Sequence, residues 1–418
     1  MKSFRKEDQN YYSPSCFLIA LEDKKLDEKN FLQSSDFFHE YIHYLQTMSL
    51  PFMQISFSKF ATTLATLAQQ AYLNGINNRP FYPITNHIQL LNFYLFQHYQ
   101  NPEPPFIDCS EFIDFKKASG DLIPGFFVNQ FFIYFKNAKC GDRTLESRIS
   151  AFELIENMAA NIEEIQFGRQ NIPDLPYRVV NIIIKNKYSS LHLTIQQITK
   201  LIELSLYTLD PVDFLFSRLD YMVSLKRPIN ENEYERIFFE NISFKGYTPD
   251  MNFSTLNDWL EYCKKSMCDN IMNVLGTAAL KNDTDHFTNI INYMYDKRKK
   301  DCFLISKIMY LQKNNIPNIY NEYTLPLVYL PNEHVVSSDN KDGNITLIPA
   351  ILNTVCRNLC NSKPKDKKCL LYDTCRKFEQ EEGHNKYTDD FCVTDPFNKD
   401  LKNIDCPFSL YARAKKLI

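Results

Sequence analysis

Glycine is scarce in this chain: 9 of its 418 residues are Gly, against 33 Phe and 25 Tyr. Low-complexity disordered chains show the opposite balance, with few aromatic residues and many small or polar ones. Hydrophobic residues make up 44% of the chain and charged residues 23%, which is enough apolar surface for a buried core. The composition therefore predicts a folded globular protein.

Long hydrophobic runs are also missing. The longest apolar stretch, LIPGFFVNQFFIYF at 122–135, is interrupted by Pro124 and Asn129 and is shorter than the roughly 20 residues that span a bilayer. The apolar piece CFLIAL at 16–21 is too short for the hydrophobic region of a secretory signal. We therefore expect no membrane partner, no export signal and a cytoplasmic location.

Neither sign of charge dominates the chain, whose net charge is −3. Nucleic acids bind proteins that carry a surplus of Lys and Arg, so a nucleic-acid partner is not expected. The basic cluster DKRKKD at 296–301 is typical of the solvated face of a helix. A protein partner that binds through the middle or the C-terminal region stays open.

The stretch SSDFFHEYIHYLQT, residues 34–47, contains the pattern H-E-x-x-H. A helix is predicted here, with a Ser cap at its start and Pro51 soon after its end. Two histidines four residues apart, His39 and His43, project from the same side of a helix and can reach one metal ion. Glu40 then lies beside the metal, where it can accept a proton from a water molecule.

A two-histidine site needs a third ligand. Gln46 and Ser49 stand where the extended metzincin pattern requires Gly and His, so that pattern is absent. A glutamate from a second helix is the common alternative. The segment 144–168, helical by propensity, supplies four candidates: Glu153, Glu156, Glu163 and Glu164.

Two segments together, FFHEYIHYLQ and LIENMAANIE, resemble zincin metallopeptidases of the gluzincin type, in their short bacterial forms with an E-x-x-A ligand helix. The resemblance is limited to residues 34–48 and 150–164. It implies zinc as the cofactor and assigns these roles: zinc ligation by His39, His43 and Glu156, with Glu163 in reserve, and general base catalysis by Glu40.

Further residues should complete such a site. Asp36 and Gln46 are within helical reach of the histidines and would fix their tautomers, although Asp36 can also cap the helix and Gln46 can be exposed. The donor that stabilises the transition state cannot be chosen among 25 Tyr. Zincins also offer the substrate an edge strand beside the metal. Here that sheet must be small, or completed by later strands such as 126–135.

The cysteines are concentrated near the C-terminus, where six of the 12 follow the spacing C-x3-C-x8-C-x5-C-x16-C-x13-C. This spacing lacks the C-x2-C pairs of standard zinc fingers. Without an export signal, thiols rather than disulfides are expected, and a second zinc ion or an iron-sulfur cluster would hold such a polar segment together. Disulfides or unligated thiols are the alternatives. The candidate ligands are Cys356, Cys360, Cys369, Cys375, Cys392 and Cys406, with His384 as a further one.

The predicted fold class is mainly α with a small β-sheet (α+β), and 418 residues suggest two or three domains. We expect a zincin-like catalytic core at 1–170, a helical domain at 171–323, and a strand-turn-strand junction with a Cys-rich tail at 324–418. The predicted function is that of a zinc metallopeptidase acting on a peptide or protein. The alternatives are a binding or regulatory protein with a structural zinc site and a Cys-rich partner-binding tail, or a metal-dependent hydrolase of a non-peptide substrate.

Overall fold

The computed structural model describes residues 10–13, 16–23, 25–74, 106–123, 126–141, 143–168, 171–240, 242–246, 251–275, 281–330, 335–336, 351, 354–355, 368–383, 388–396 and 406. Three of the predicted ligands, Cys356, Cys360 and His384, lie outside these residues.

Helices make up most of the described chain, in agreement with the predicted fold class. They are α1 (Ser35–Ser49), α2 (Pro51–Asn74), α3 (Ala151–Phe167), α4 (Asp174–Tyr177), α5 (Val179–Lys187), α6 (Ile195–Ser205), α7 (Pro211–Ser224), α8 (Tyr234–Phe239), α9 (Leu256–Leu275), α10 (Lys281–Lys300), α11 (Ile316–Tyr323), α12 (Tyr372–Glu382) and α13 (Phe391–Thr394). None of the described helices is long and apolar enough to cross a membrane.

The described strands form small sheets. They are β1 (Tyr11–Ser13), β2 (Leu18–Ala20), β3 (Glu111–Ile123), β4 (Phe126–Lys136), β5 (Thr144–Ile149), β6 (Phe244–Lys245), β7 (Asn252–Phe253), β8 (Leu327–Tyr329) and β9 (Val335–Val336). The first sheet has the order β1-β2-β8-β9, the second β3-β4-β5, and β6 pairs with β7.

The N-terminal sheet is small and is completed by a later strand, as expected, but that strand is not 126–135. Strand β4, expected at 126–135, is present, but it pairs with β3 and β5 in a separate sheet. Strand β8 instead runs parallel to β2, with Ile19 opposite Val328. Residues about 300 positions apart in sequence therefore build the sheet beside the motif helix.

The composition of segment 144–168 predicts one continuous helix, but the structure divides the segment into a strand and a helix. Residues 144–149 form strand β5, which pairs antiparallel with β4. Helix α3 starts after Ser150, whose side chain and backbone form a capping box with Glu153. Because this box satisfies backbone groups at the helix start, it fixes the point at which strand changes to helix.

Helix α1 is held on all sides. Every residue from Phe37 to Ser49 is buried, and the Ser34 hydroxyl accepts a hydrogen bond from the Phe37 N–H. At the other end, buried Arg298 donates to Ser49 Oγ (2.8 Å) and to the Glu203 carboxylate (2.6 Å). Removing one partner of a fully buried, hydrogen-bonded ion pair strongly destabilises the folded state. This network therefore fixes the end of α1.

One hydrophobic cluster contains buried residues from each of the three predicted segments, from Cys16 to Cys406. The division of the chain into three domains stays a prediction. The cluster nevertheless packs α1 and α3 together, which brings the two segments of the metallopeptidase-like pattern face to face.

Candidate metal centre

Three side chains from α1 and α3 converge on one point. His39 Nε2 lies 3.2 Å from His43 Nε2, and Glu156 Oε2 lies 3.3 Å from each of these two nitrogens. A tetrahedral ion with bonds of about 2.0–2.1 Å separates its ligand atoms by about 3.3–3.4 Å. The three atoms therefore have the spacing that a single tetrahedral metal ion requires, and this buried group can hold one.

The site offers three protein ligands. Among the residues that the structure describes, no further His, Cys, Asp or Glu joins the group. The side chains are 10%, 9% and 14% exposed for His39, His43 and Glu156, so they are shielded but not sealed. Structural zinc sites are closed by a fourth protein ligand, whereas catalytic sites keep that position open.

The outer nitrogen of each histidine has an acceptor. His39 Nδ1 lies 2.9 Å from Glu163 Oε2, and His43 Nδ1 lies 2.8 Å from Gln46 Oε1. Gln46 is oriented in turn by its Nε2, which donates to the carbonyl of Ile155. Because a carboxylate or amide oxygen accepts, in the neutral form of each imidazole Nδ1 carries the proton and Nε2 has its lone pair free for a metal.

Two predicted residues have different positions from those expected. Glu163, the reserve ligand, contacts the outer nitrogen of His39 and is not part of the converging group. Asp36, expected to orient a histidine, accepts a hydrogen bond from Asn10 Nδ2 instead (2.8 Å). Glu163, and not Asp36, orients His39, because α3 lies against that side of the imidazole.

Glu40 is buried beside the group, in the field of both histidines and of Glu156. Burial raises the pKa of its carboxyl, while the histidines lower it in part. The backbone of Tyr12 in strand β1 lies close enough to this carboxylate to lower its pKa as well. Glu40 is thus placed next to the converging atoms without being one of them.

Protons compete with a metal for the same atoms. Burial alone would lower the pKa of His39 and of His43, but the Glu156 carboxylate raises both above the usual value, with Glu163 adding to the effect at His39. Burial would raise the pKa of Glu156, but the two imidazoles lower it to about 2. Without metal, the histidines therefore retain protons that the ionised Glu156 attracts.

Metal binding is accordingly expected to release protons near neutral pH, since a metal ion requires neutral imidazoles. The apparent affinity should fall as the pH is lowered, because both raised histidine pKa values favour the protonated, metal-free state. Glu156 is already ionised and contributes no proton. Calorimetric titration with zinc in two buffers of different ionisation enthalpy measures the release, and equal heats in both buffers would contradict it.

Removing the carboxylate at 163 should weaken metal binding. Glu163→Ala takes away the acceptor of His39 Nδ1, and losing such an outer partner typically costs about 10- to 100-fold in metal affinity or activity. Glu164→Ala is the matched control, since Glu164 faces Arg178 at 3.4 Å. Competition with a chromogenic chelator gives both constants. Equal affinity in the two variants would show that Glu163 does not support the site.

Tyr177 is a neighbour that the sequence did not indicate. Its ring meets that of His39 edge-on at 5.8 Å. Burial raises the pKa of its hydroxyl, and the carboxylates of Glu156, Glu40 and Glu163 raise it further. The hydroxyl thus keeps its proton within the field of the site. Tyr177 lies beside His39 only because the short helix α4 packs against α3.

Comparison of the chain with family models, with curated proteins and with solved structures gave no match.

Proposed function

We propose that this protein is a zinc-dependent metallopeptidase with a zincin-like core. The observation that carries the proposal is the triangle formed by His39 Nε2, His43 Nε2 and Glu156 Oε2, with Glu40 beside it and each outer histidine nitrogen paired. Two imidazoles and one carboxylate are the donor set of known two-histidine catalytic zinc sites.

A bound zinc ion supplies Lewis acidity, which polarises a scissile carbonyl and makes water a stronger nucleophile near neutral pH. The remaining chemistry belongs to the chain. The Glu40 carboxylate accepts a proton from the attacking water and delivers it to the leaving amine nitrogen. The histidines keep their Nδ1 protons throughout, because Glu163 and Gln46 hold them.

The Tyr177 hydroxyl is suited to donate a hydrogen bond to the oxygen that becomes negative as the carbonyl is attacked. A donor of this kind acts in the transition state more than in the substrate complex. Burial keeps the hydroxyl protonated, so it can act as a donor.

Strand β1 supports a peptide as the substrate. It is at the edge of its sheet among the described strands, and Tyr12 in it is paired across from Ile19. The backbone of Tyr12 is close enough to Glu40 to lower its pKa, so strand β1 lies beside the site. An extended peptide that adds to such an edge by main-chain hydrogen bonds would pass over the metal.

Incubation of the zinc-loaded protein with a defined mixture of peptides, followed by mass spectrometry, tests the proposal. We expect cleavage at internal bonds, loss of cleavage with a zinc chelator and recovery when zinc is restored. If every peptide stays intact while model esters or other amides are hydrolysed, the protein is a hydrolase of a non-peptide substrate. If nothing is hydrolysed although zinc is bound, the site is structural.

Tyr177→Phe is expected to lower kcat about 10²- to 10³-fold, the typical cost of losing one such donor, with KM little changed. Zinc content should stay the same, since Tyr177 is outside the ligand group. Tyr221→Phe, at an exposed tyrosine on α7, is the control. Steady-state kinetics on a cleaved peptide give the two constants, and an unchanged kcat would exclude the role.

A further inference from the structure

Three cysteines of the C-terminal tract come together in the structure. Cys369, Cys392 and Cys406 are separated by 22 and 13 residues in sequence, yet each is buried, with 7%, 6% and 7% of its surface exposed. The backbone N–H of Cys369 donates to the carbonyl of Cys392 (2.8 Å). Burial raises the pKa of the Cys369 thiol, and the nearby thiols of Cys406 and Cys392 raise it further.

Cys369 has a polar neighbour, and two of the three cysteines belong to the protein core. The Thr354 hydroxyl lies 4.0 Å from Cys369 Sγ and accepts a hydrogen bond from the Leu370 N–H. Cys369 and Cys406 belong to the main hydrophobic cluster together with Leu371. The thiols therefore lie at the boundary between the core and the C-terminal segment.

The described helices of this segment are short and largely polar. Its helices α12 and α13 carry the sequences YDTCRKFEQEE and FCVT, and both large apolar residues of α13, Phe391 and Val393, are exposed. Short polar segments of this kind usually depend on a bound metal or on disulfides. Among the described residues of the segment, the buried cysteines can supply such a link.

The spacing of the thiols distinguishes a site for a single zinc ion from a site for an iron-sulfur cluster. Among the described residues, His39, His43 and Glu156 are the group whose ligand atoms all lie within 4.8 Å of one another. The sulfurs of Cys369, Cys392 and Cys406 do not all lie within 4.8 Å of one another. Ligands of a single zinc ion would be close together. Cysteines that bind an iron-sulfur cluster attach to different iron atoms, so their sulfurs are held farther apart.

We propose that Cys369, Cys392 and Cys406 bind an iron-sulfur cluster that holds the C-terminal segment on the core. Cys375, half-buried in α12, is the fourth described cysteine of the tract. Cys406 is followed by Pro407, as the last cysteine is in the ferredoxin-type run. The proposal is independent of the histidine site and of peptidase activity.

The test is purification of the full-length protein without oxygen, followed by measurement of iron, acid-labile sulfide, zinc and visible absorption. We expect iron and sulfide in comparable amounts, with a broad visible band that bleaches on reduction by dithionite. In the variant Cys369→Ser/Cys392→Ser/Cys406→Ser, both should be lost. Cys140→Ser, at an exposed cysteine outside the tract, should keep them.

A second measurement covers the case in which the triple variant fails to fold. Wild-type protein stripped of metal is reconstituted with ferrous iron and sulfide under reducing conditions, and the iron bound is compared with that of Cys140→Ser treated alike. Iron uptake with the same visible band supports the cluster. Zinc bound at these cysteines, a disulfide between any two of them, or no iron uptake would overturn the proposal.

Discussion

Replacing Glu40 by Gln should lower the rate of peptide hydrolysis about 10²- to 10⁴-fold, the range that a positioned proton acceptor contributes. The amide has nearly the same shape as the carboxylate but cannot accept the proton of the attacking water. Glu40 is buried beside the ligand atoms and is not one of them, so zinc content should not change. The loss should therefore appear in kcat with metal still bound.

Zinc analysis and thermal unfolding of the same preparation are the controls for Glu40→Gln. Glu164→Gln, which removes a half-buried carboxylate that faces Arg178, should keep both zinc and activity. An unchanged rate in Glu40→Gln with full zinc would show that another group accepts the proton. A variant that loses zinc together with activity would place Glu40 among the ligands.

The double variant His39→Ala/His43→Ala is expected to lose its zinc entirely, from about one ion per chain to none. It leaves Glu156 as the remaining ligand of the triangle, and one carboxylate does not hold zinc at micromolar concentration. Because metal bound to the folded state stabilises it, added zinc should raise the Tm of the wild type and leave that of the variant unchanged.

The matched control for the double variant is His286→Ala, since His286 lies on helix α10 and is half-buried against Phe287. It should keep full zinc and the same shift of Tm. Elemental analysis measures the zinc bound by the wild type, by the double variant and by His286→Ala. Equal zinc in the wild type and in the double variant would show that the H-E-x-x-H pattern binds no metal.

The histidine pair could be predicted from the sequence because helix geometry alone determines it. Residues four apart share a face in any α-helix, and Ser34 and Pro51 mark the ends of the helix whatever surrounds it. The role of each glutamate could not be derived in this way. Glu156 and Glu163 lie two turns apart on the same face of α3, and which one meets Nε2 of His39 depends on how far α3 is shifted along α1.

Long-range pairing accounts for what the sequence did not indicate. Strand β5 has the composition of a helix and becomes a strand because β4 lies beside it, since strand formation depends on neighbours more than on propensity. Strand β8 joins β2 from about 300 residues away, and no local pattern encodes that partner. Tyr177 lies near His39 only through the packing of α4 beside α3.

X-ray diffraction from crystals of the zinc-loaded protein, recorded on both sides of the zinc absorption edge, tests whether His39, His43 and Glu156 bind one zinc ion and leave one coordination position open. We expect one anomalous peak about 2.0–2.2 Å from His39 Nε2, His43 Nε2 and Glu156 Oε2, with no fourth protein ligand. The absence of a peak between these three atoms, or a peak closed by a fourth side chain, would contradict it.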